Sequence, residues 1–456
     1  MPTRREFLRQ TTASAIVAAT SIHLGCSGKE KPRSDASKDA PNITPARSPQ
    51  IKSVVRREET TRRLGGNGDN FHMSWAADDI QYVSLCDGAG FLSDSKGFYN
   101  SRLFALSGDP QDAKFSDVPG YPDLLPALDA ARYYNFGTLG MDGRIYQFLS
   151  TFNHPSTRPD GSSWPDLRFV GAKLIYSPDN GRTWHNQDGS TPVVWETWQQ
   201  RSRKTMVFFE EPQDAFSLLT VLQMGRNYEA NRDGFVYVYA PNGNTEGTMN
   251  ELAMFRVPKA ELLNRGAYEY FAGSQAGGRA TWVKDIGARR VVHTFPRGWV
   301  NATTHPYAWH PSVVYNPTLG MYLMANWGMG TAPDGEWFGK PSYLGFWTAP
   351  DPWGPWTQIH EETAWTPDTD SASRAYQPQI APKWIAEDGK SFWLVWTDFQ
   401  KKDDKGELKQ LMDEYNRRRA RKQVNTREED MRTAAIMRRT MPYYSFNTQR
   451  VDLVIP

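Results

Sequence analysis

The chain is built largely from short runs rich in apolar and aromatic residues, each introduced by a polar turn signal. Five such units can be read: "ADDIQYVSLCD" near residue 78, "MDGRIYQFLS" near 142, "RDGFVYVYA" near 233, "NPTLGMYLMANW" near 317 and "EDGKSFWLVWTD" near 388. In each, an Asp-Gly, Asp-Asp or Asn-Pro turn joins two strands of an antiparallel hairpin. A third strand with its own turn comes after each hairpin: "SRLFALSGDP", "AKLIYSPDNGRTW", "LAMFRVPKAEL", "LGFWTAPDPWGPW" and "SFNTQRVDLV". Three or four strands recurring five times, at intervals of roughly 65 to 90 residues, are the mark of radial repetition. The pattern predicts an all-β fold, a five-bladed β-propeller over residues 61–456. A decorated β-sandwich shares the strand period but not the blade-like recurrence, and ranks second.

Three segments break the pattern. Residues 401–440 carry dense charge of both signs and no β runs, which predicts a solvated helix or helical pair inserted in the last blade. Residues 27–60 are polar and rich in Pro, Ser and charge, and read as a flexible tether. Residues 1–26 are read as a targeting segment: Arg4 and Arg5 precede Phe7 and Leu8 as in a twin-arginine export signal, and "LGCS" places Cys26 as a lipid-modified cysteine. The expectation is an exported envelope lipoprotein, periplasmic or at the outer membrane or cell surface, monomeric and held to the membrane through Cys26.

Composition narrows the picture. Lys plus Arg is 53 against 51 Asp plus Glu, a net charge of +2, so nucleic acid is not an expected partner. Aromatic residues make up 13% of the chain, enough to fill β cores and still leave rings on which the apolar faces of sugars can stack. With only two cysteines, Cys26 and Cys86, an exported domain must rest on its core rather than on a disulfide framework.

The chain has no nucleophile elbow, P-loop, His-Glu-x-x-His or Cys-x-x-Cys motif, and neither a metal nor an organic cofactor is expected. His305 and His310 are too loosely spaced to argue for zinc, although His310 could point into a pocket at a blade start. "SPDNGRTW", Ser177 to Trp184, fits an S-x-D-x-G-x-T-W turn resembling those of sialidase propellers, which gives Asp179 a structural role. Carboxylates remain. In "GDNFHMSWAADDIQYVSLCDG", a turn centred on Asp78 sets Asp69 opposite Asp87, on one face and away from the turn, with Cβ atoms about 5 Å apart in an ideal ladder. Repulsion between them would raise one pKa, as an acid/base pair requires. Such a ladder suits a retaining mechanism, and a bulge near Gly88 would widen it toward inversion.

"GDNFHMSWAADDIQYVSLCDGAGF", "GRNYEANRDGFVYVYA" and "GFWTAPDPWGPW" together resemble a family of secreted propellers long filed as a domain of unknown function, which includes endo-acting D-arabinanases. The resemblance spans most of residues 65–400. It implies a glycoside hydrolase whose acid/base pair is Asp69 and Asp87, with Asn227, Tyr228 and Arg232 lining the cleft. Cys86 stands where the family pattern has glycine, and the charged insertion is a further departure. The expected activity is hydrolysis of an extracellular polysaccharide such as an arabinan. A non-catalytic glycan- or envelope-binding propeller is the alternative, and the enzyme reading requires Asp69 and Asp87 to converge in an open cleft.

Overall fold

In the computed structural model, residues 51–456 are described apart from 125–130, 155–166, 244–248, 297–306, 331–337, 403–405 and 421–426. The targeting segment with Cys26, and most of the tether, lie outside the described residues. Every β-strand among the described residues belongs to one of five antiparallel sheets. Their innermost strands are Met73–Trp75, Tyr133–Met141, Thr220–Val221, Ser312–Asn316 and Ala375–Ile385, and each contacts the next around a closed ring. This is a five-bladed β-propeller. The inner strands all run from one face, here called the top, to hairpin turns at the other, the bottom.

The third strand of each blade is the one the sequence pattern supplies, from Tyr99–Ser107 in blade 1 to Phe446–Val454 in blade 5. Blade 5 is completed from the other end of the chain: Ser53–Arg56 pairs with Phe446–Val454, with Ser53 opposite Val454 and Arg56 opposite Val451. The propeller therefore begins before residue 60, inside the stretch read as tether. Arg57 N donates to Arg450 O at 2.9 Å, so this closure continues past the strand. Pairing the first strand with the last ties the ring where it would otherwise carry an open edge.

Most of the core lies between blades. Blades 4 and 5 share Val314, Phe346, Trp365, Ile380 and Trp396, while blades 5 and 1 meet through Phe71, Phe104, Val395 and Phe446. The Ser177–Trp184 turn is the scaffold its sequence predicts. Asp179 accepts from Thr183 N at 2.8 Å, Thr183 Oγ1 at 2.9 Å and Ser177 Oγ at 2.9 Å. Trp184 packs edge-on against Tyr121. Tyr82 of blade 1 donates to Asn180 O at 2.9 Å, so the turn also pins two blades together. Asp179→Ala removes these bonds at an exposed turn and is expected to cost about 1–2 kcal/mol, read as a lower denaturant midpoint with an unchanged slope.

The insertion emerges at the top, between the second and third strands of blade 5. It forms two helices, α1 (Glu407–Ala420) and α2 (Arg427–Thr440). It is not simply solvated: α2 buries Thr433, Ala434, Ile436, Met437 and Thr440.

Candidate functional site

The top of blade 1 carries the two aspartates. Across the Met73–Trp75 hairpin the register is that expected from a turn at Asp78, with Met73 opposite Val83 and Trp75 opposite Gln81. Further up it slips by one residue. Asp69 faces Cys86, exchanging both main-chain hydrogen bonds at 3.0 and 2.9 Å, and Asn70 and Phe71 together stand against Leu85. This bulge sits on the strand opposite Gly88, with Asn70 at φ 60°. The expected direct pairing of Asp69 with Asp87 is thereby replaced by an offset one.

Asp87 itself adopts φ 45°, a left-handed conformation that Asp tolerates better than most residues. The next position must be glycine. A Cβ at Gly88 would sit 2.0 Å from Asn67 O and 2.4 Å from Gly68 Cα.

Each carboxylate has its own partners. Asp69 accepts from Tyr376 OH at 2.9 Å and from Asn70 Nδ2 at 2.6 Å. Asp87 forms an ion pair with Arg132 at 2.6 Å, and its main-chain carbonyl accepts from Tyr444 OH at 3.0 Å. Both aspartates are 1% exposed. Burial, then the nearby charge of Asp87, pushes the Asp69 carboxyl well above the usual carboxylate range. Burial also pushes the Cys86 thiol up, with the two aspartates adding to it. The result is a close but unequal pair, one group favouring its proton and the other paired with a guanidinium. Among the described residues neither carboxylate opens into the cleft that the enzyme reading expected.

The remaining sites expected from sequence are dispersed. Asn227, Tyr228 and Arg232 come after the inner strand of blade 3 and so emerge at the bottom, across the ring from the aspartates. Asn227 Oδ1 accepts from Gly143 N at 3.0 Å in the blade 2 turn. Arg226 donates to Ala77 O in the blade 1 turn at 3.2 Å through Nε. Tyr228 is buried, and the Arg232 guanidinium lies 4.8 Å from the centre of the Tyr315 ring. The structure thus does not place these three with the aspartates. His310 is at the top but points to the axis, where its ring lies 5.2 Å from His72 and 3.9 Å from Phe136. Burial pushes His310 well below its usual range, and His72 to about 3, so both are neutral. A cavity on the axis is lined by residues of all five blades, among them His72, Phe136, Thr220, Ser312 and Gln379. Among the described residues, no group of three or more His, Cys, Asp or Glu is arranged to hold a metal ion.

Sequence reasoning missed Arg132, Tyr376 and Tyr444. A positional signal existed for the first two: Arg132 directly precedes the inner strand of blade 2, and Tyr376 is the second residue of that of blade 5, the level Asp69 occupies in blade 1. In a propeller those positions converge on the top of the axis.

The fold and site together define a five-bladed propeller with an unequal carboxylate pair at the top of its first blade. No protein-family profile matches the sequence, and no curated protein matches it. Among solved structures the chain is similar to a candidate hydrolase from Bacteroides ovatus ATCC 8483, at 13% identity and a TM-score of 0.43, over 93% of this chain and 97% of that one. It is also similar to an N-acetylgalactosamine deacetylase from F. plautii, at 10% identity and 0.42, over 90% of this chain and 95% of that one. An endo-arabinase from Bacteroides thetaiotaomicron VPI-5482 matches at 12% identity and 0.36, over 78% of this chain and 92% of that one. Likenesses this distant assign no activity.

Proposed function

We propose that the protein is a glycoside hydrolase acting on an extracellular polysaccharide, with Asp69 as general acid and Asp87 as its partner carboxylate. The observation that carries this reading is the inequality of the pair. Asp69, whose carboxyl is pushed well above the usual carboxylate range by burial and then by the charge beside it, is suited to deliver a proton to the leaving glycosidic oxygen. Asp87, paired with Arg132, carries the negative charge needed to activate water or to attack the anomeric carbon. Two adjacent buried carboxylates are costly to maintain, and catalysis is the use that repays both their proximity and their different environments. D-arabinan is the substrate class suggested by the motifs around Asp69 and Asp87. Export by the twin-arginine route and anchoring through Cys26 would place the enzyme where such polymers are met.

The burial of both carboxylates favours a second reading, a glycan-binding propeller without turnover. Incubating the purified protein with a panel of polysaccharides that includes arabinans, and separating the products by chromatography, decides between them. The hydrolase reading expects oligosaccharides from at least one polymer. Retention of a polymer on the immobilised protein with no products would establish the second.

A further inference from the structure

Three non-glycine residues with left-handed backbone stand around the Asp69 carboxyl: Asn70 at φ 60°, Asp87 at φ 45° and Gln377 at φ 52°. A residue with a Cβ adopts this conformation at a cost, so three together mark a point where the surrounding structure enforces a geometry. Two bulges produce it. In blade 1, Asn70 and Phe71 stand against Leu85, and in blade 5, Gln377 and Pro378 stand against Trp396. The two are joined, since Asn70 N donates to Gln377 Oε1 at 3.1 Å. Asn70 O in turn accepts from His72 N and from Ser84 Oγ, each at 2.8 Å. The main chain of Asn70 is thus tied on both sides.

Its side chain is held at one end only. Asn70 Nδ2 lies 2.6 Å from Asp69 Oδ1, whereas Asn70 Oδ1 is buried and has no partner among the described residues. An amide with a single bond can present either end to it, donating through nitrogen to a carboxylate or accepting through oxygen from a carboxylic acid. A separation of 2.6 Å falls in the range of O–H···O bonds and just under that of N–H···O bonds. The other carboxyl oxygen has a partner of a different kind. Tyr376, the neighbour of Gln377, donates from its OH to Asp69 Oδ2 at 2.9 Å. Among the described residues, the titratable and charged groups that face Asp69 are Asp87 and Cys86 on the adjacent strand, Arg132 through its ion pair with Asp87, and the phenols of Tyr376 and Tyr444, with Asp398 beyond Tyr376.

We propose that Asn70 and Tyr376 are positioning residues that give the two oxygens of Asp69 different tasks: Tyr376 keeps Oδ2 as an acceptor, and the exchangeable proton is carried on Oδ1, held there by the Asn70 amide oxygen. When Oδ1 releases the proton, the electron pair of the O–H bond stays behind as the carboxylate charge. The amide then turns about its Cβ–Cγ bond so that Nδ2 donates to that charge. The proton passes to the leaving glycosidic oxygen, which keeps the electrons of the broken C–O bond. Because Tyr376 covers Oδ2, a substrate has to approach Asp69 on the Oδ1 side. Delivery to a glycosidic oxygen rests on the reading of Asp69 as general acid, whereas the assignment of the two oxygens does not.

Infrared difference spectra of the full chain test this without a substrate. Subtracting the spectrum of Asp69→Asn isolates the carboxylic C=O stretch of protonated Asp69, and its loss with rising pH gives the midpoint of that group. Tyr376→Phe and Asn70→Gly are treated in the same way, each against its own Asp69→Asn reference. Glycine keeps the left-handed backbone at position 70, and Asn70→Ala is the second variant if the bulge loosens. Tyr376→Phe is expected to move the C=O band to higher frequency, because the carbonyl oxygen loses its donor. It should also raise the midpoint by about one pH unit, since a hydrogen bond to a charged group is worth roughly tenfold. Asn70→Gly should move the midpoint by less than about a third of that, because the amide serves both forms of the carboxyl. A midpoint raised as far in Asn70→Gly as in Tyr376→Phe would overturn the turning amide. One left in place or lowered by Tyr376→Phe would overturn the assignment of Oδ2. In turnover of a cleaved polymer, the basic limb of the pH profile should move up with the midpoint in Tyr376→Phe, and a limb that stays in place would overturn the role of these residues in delivery. The expected spectra with no products from any polysaccharide would leave the oxygens assigned and remove the hydrolase reading.

Discussion

Asparagine at position 69 is expected to abolish turnover and at the same time make the fold more stable near neutral pH. Turnover falls because the amide cannot deliver a proton to the leaving oxygen, a loss of about a thousandfold or more for a general acid. Stability moves the other way because the Asp69 carboxyl lies well above its usual range in the folded protein, through burial and then the charge of Asp87. Below about pH 4 the carboxyl is protonated in both folded and unfolded chains and has no effect on the balance between them. As the pH rises, the unfolded chain releases this proton first, and the fold loses stability until the folded-state pKa is passed. Asp69→Asn should remove that loss, raising the urea midpoint at pH 8 relative to the parent and leaving the midpoint at pH 3 nearly unchanged.

Asp87→Asn should lower turnover by a similar factor but weaken the fold, because Arg132 then loses its buried counter-charge. Asp78, whose carboxylate accepts from Tyr82 OH at the bottom turn, serves as a control that keeps its activity on conversion to asparagine. Rates near those of the parent for both Asp69→Asn and Asp87→Asn, on a polymer the parent cleaves, would return the pair to a structural role.

The largest effect on stability is expected at Arg132. Its side chain is 4% exposed, pairs with Asp87 and lies with its guanidinium 5.2 Å from the centre of the Tyr134 ring. Arg132→Met keeps much of the stem's packing but leaves a carboxylate at 1% exposure without this partner. Removing one member of a buried ion pair typically costs about 3–5 kcal/mol. Equilibrium urea unfolding should show a loss of that order, and combining Arg132→Met with Asp87→Asn should recover part of it, since the stranded charge is then gone. A single-variant loss below about 1 kcal/mol would mean that the pair contributes little to holding the top of blade 1.

How much of this was legible depended on how far apart in the chain the participants stand. The hairpin around Asp78 folds with the register its turn predicts, because turn chemistry and strand period belong to consecutive residues. The same reasoning extended upward was out of step by one residue at Asp69, where the bulge weighed near Gly88 falls instead on the facing strand, at Asn70 and Phe71. Asn227, Tyr228 and Arg232, which the resemblance puts in the cleft with the aspartates, lie at the bottom of the ring, because an inner strand delivers the residues after it to the opposite face. The insertion reads as solvated from its charge, but Ile436 and Met437 of α2 join the aromatic cluster and Leu411 of α1 packs against it.

Within that division, the sequence alone determined the strand hairpins, their fivefold recurrence and hence the propeller, the structural turn at Ser177–Trp184 and the candidacy of Asp69 and Asp87. Only the tertiary structure decided which groups surround those aspartates. Arg132 is 45 residues from Asp87, Tyr376 is 307 from Asp69, and Tyr444 is 357 from Asp87. It likewise decided that residues 53–56 close the ring against the last strand and that Ile436 and Met437 of α2 join the apolar cluster of Cys86, Tyr376 and Tyr444. The physical reason is that burial and neighbouring charge set the protonation of a carboxylate, and both are supplied by segments brought together only when the ring closes.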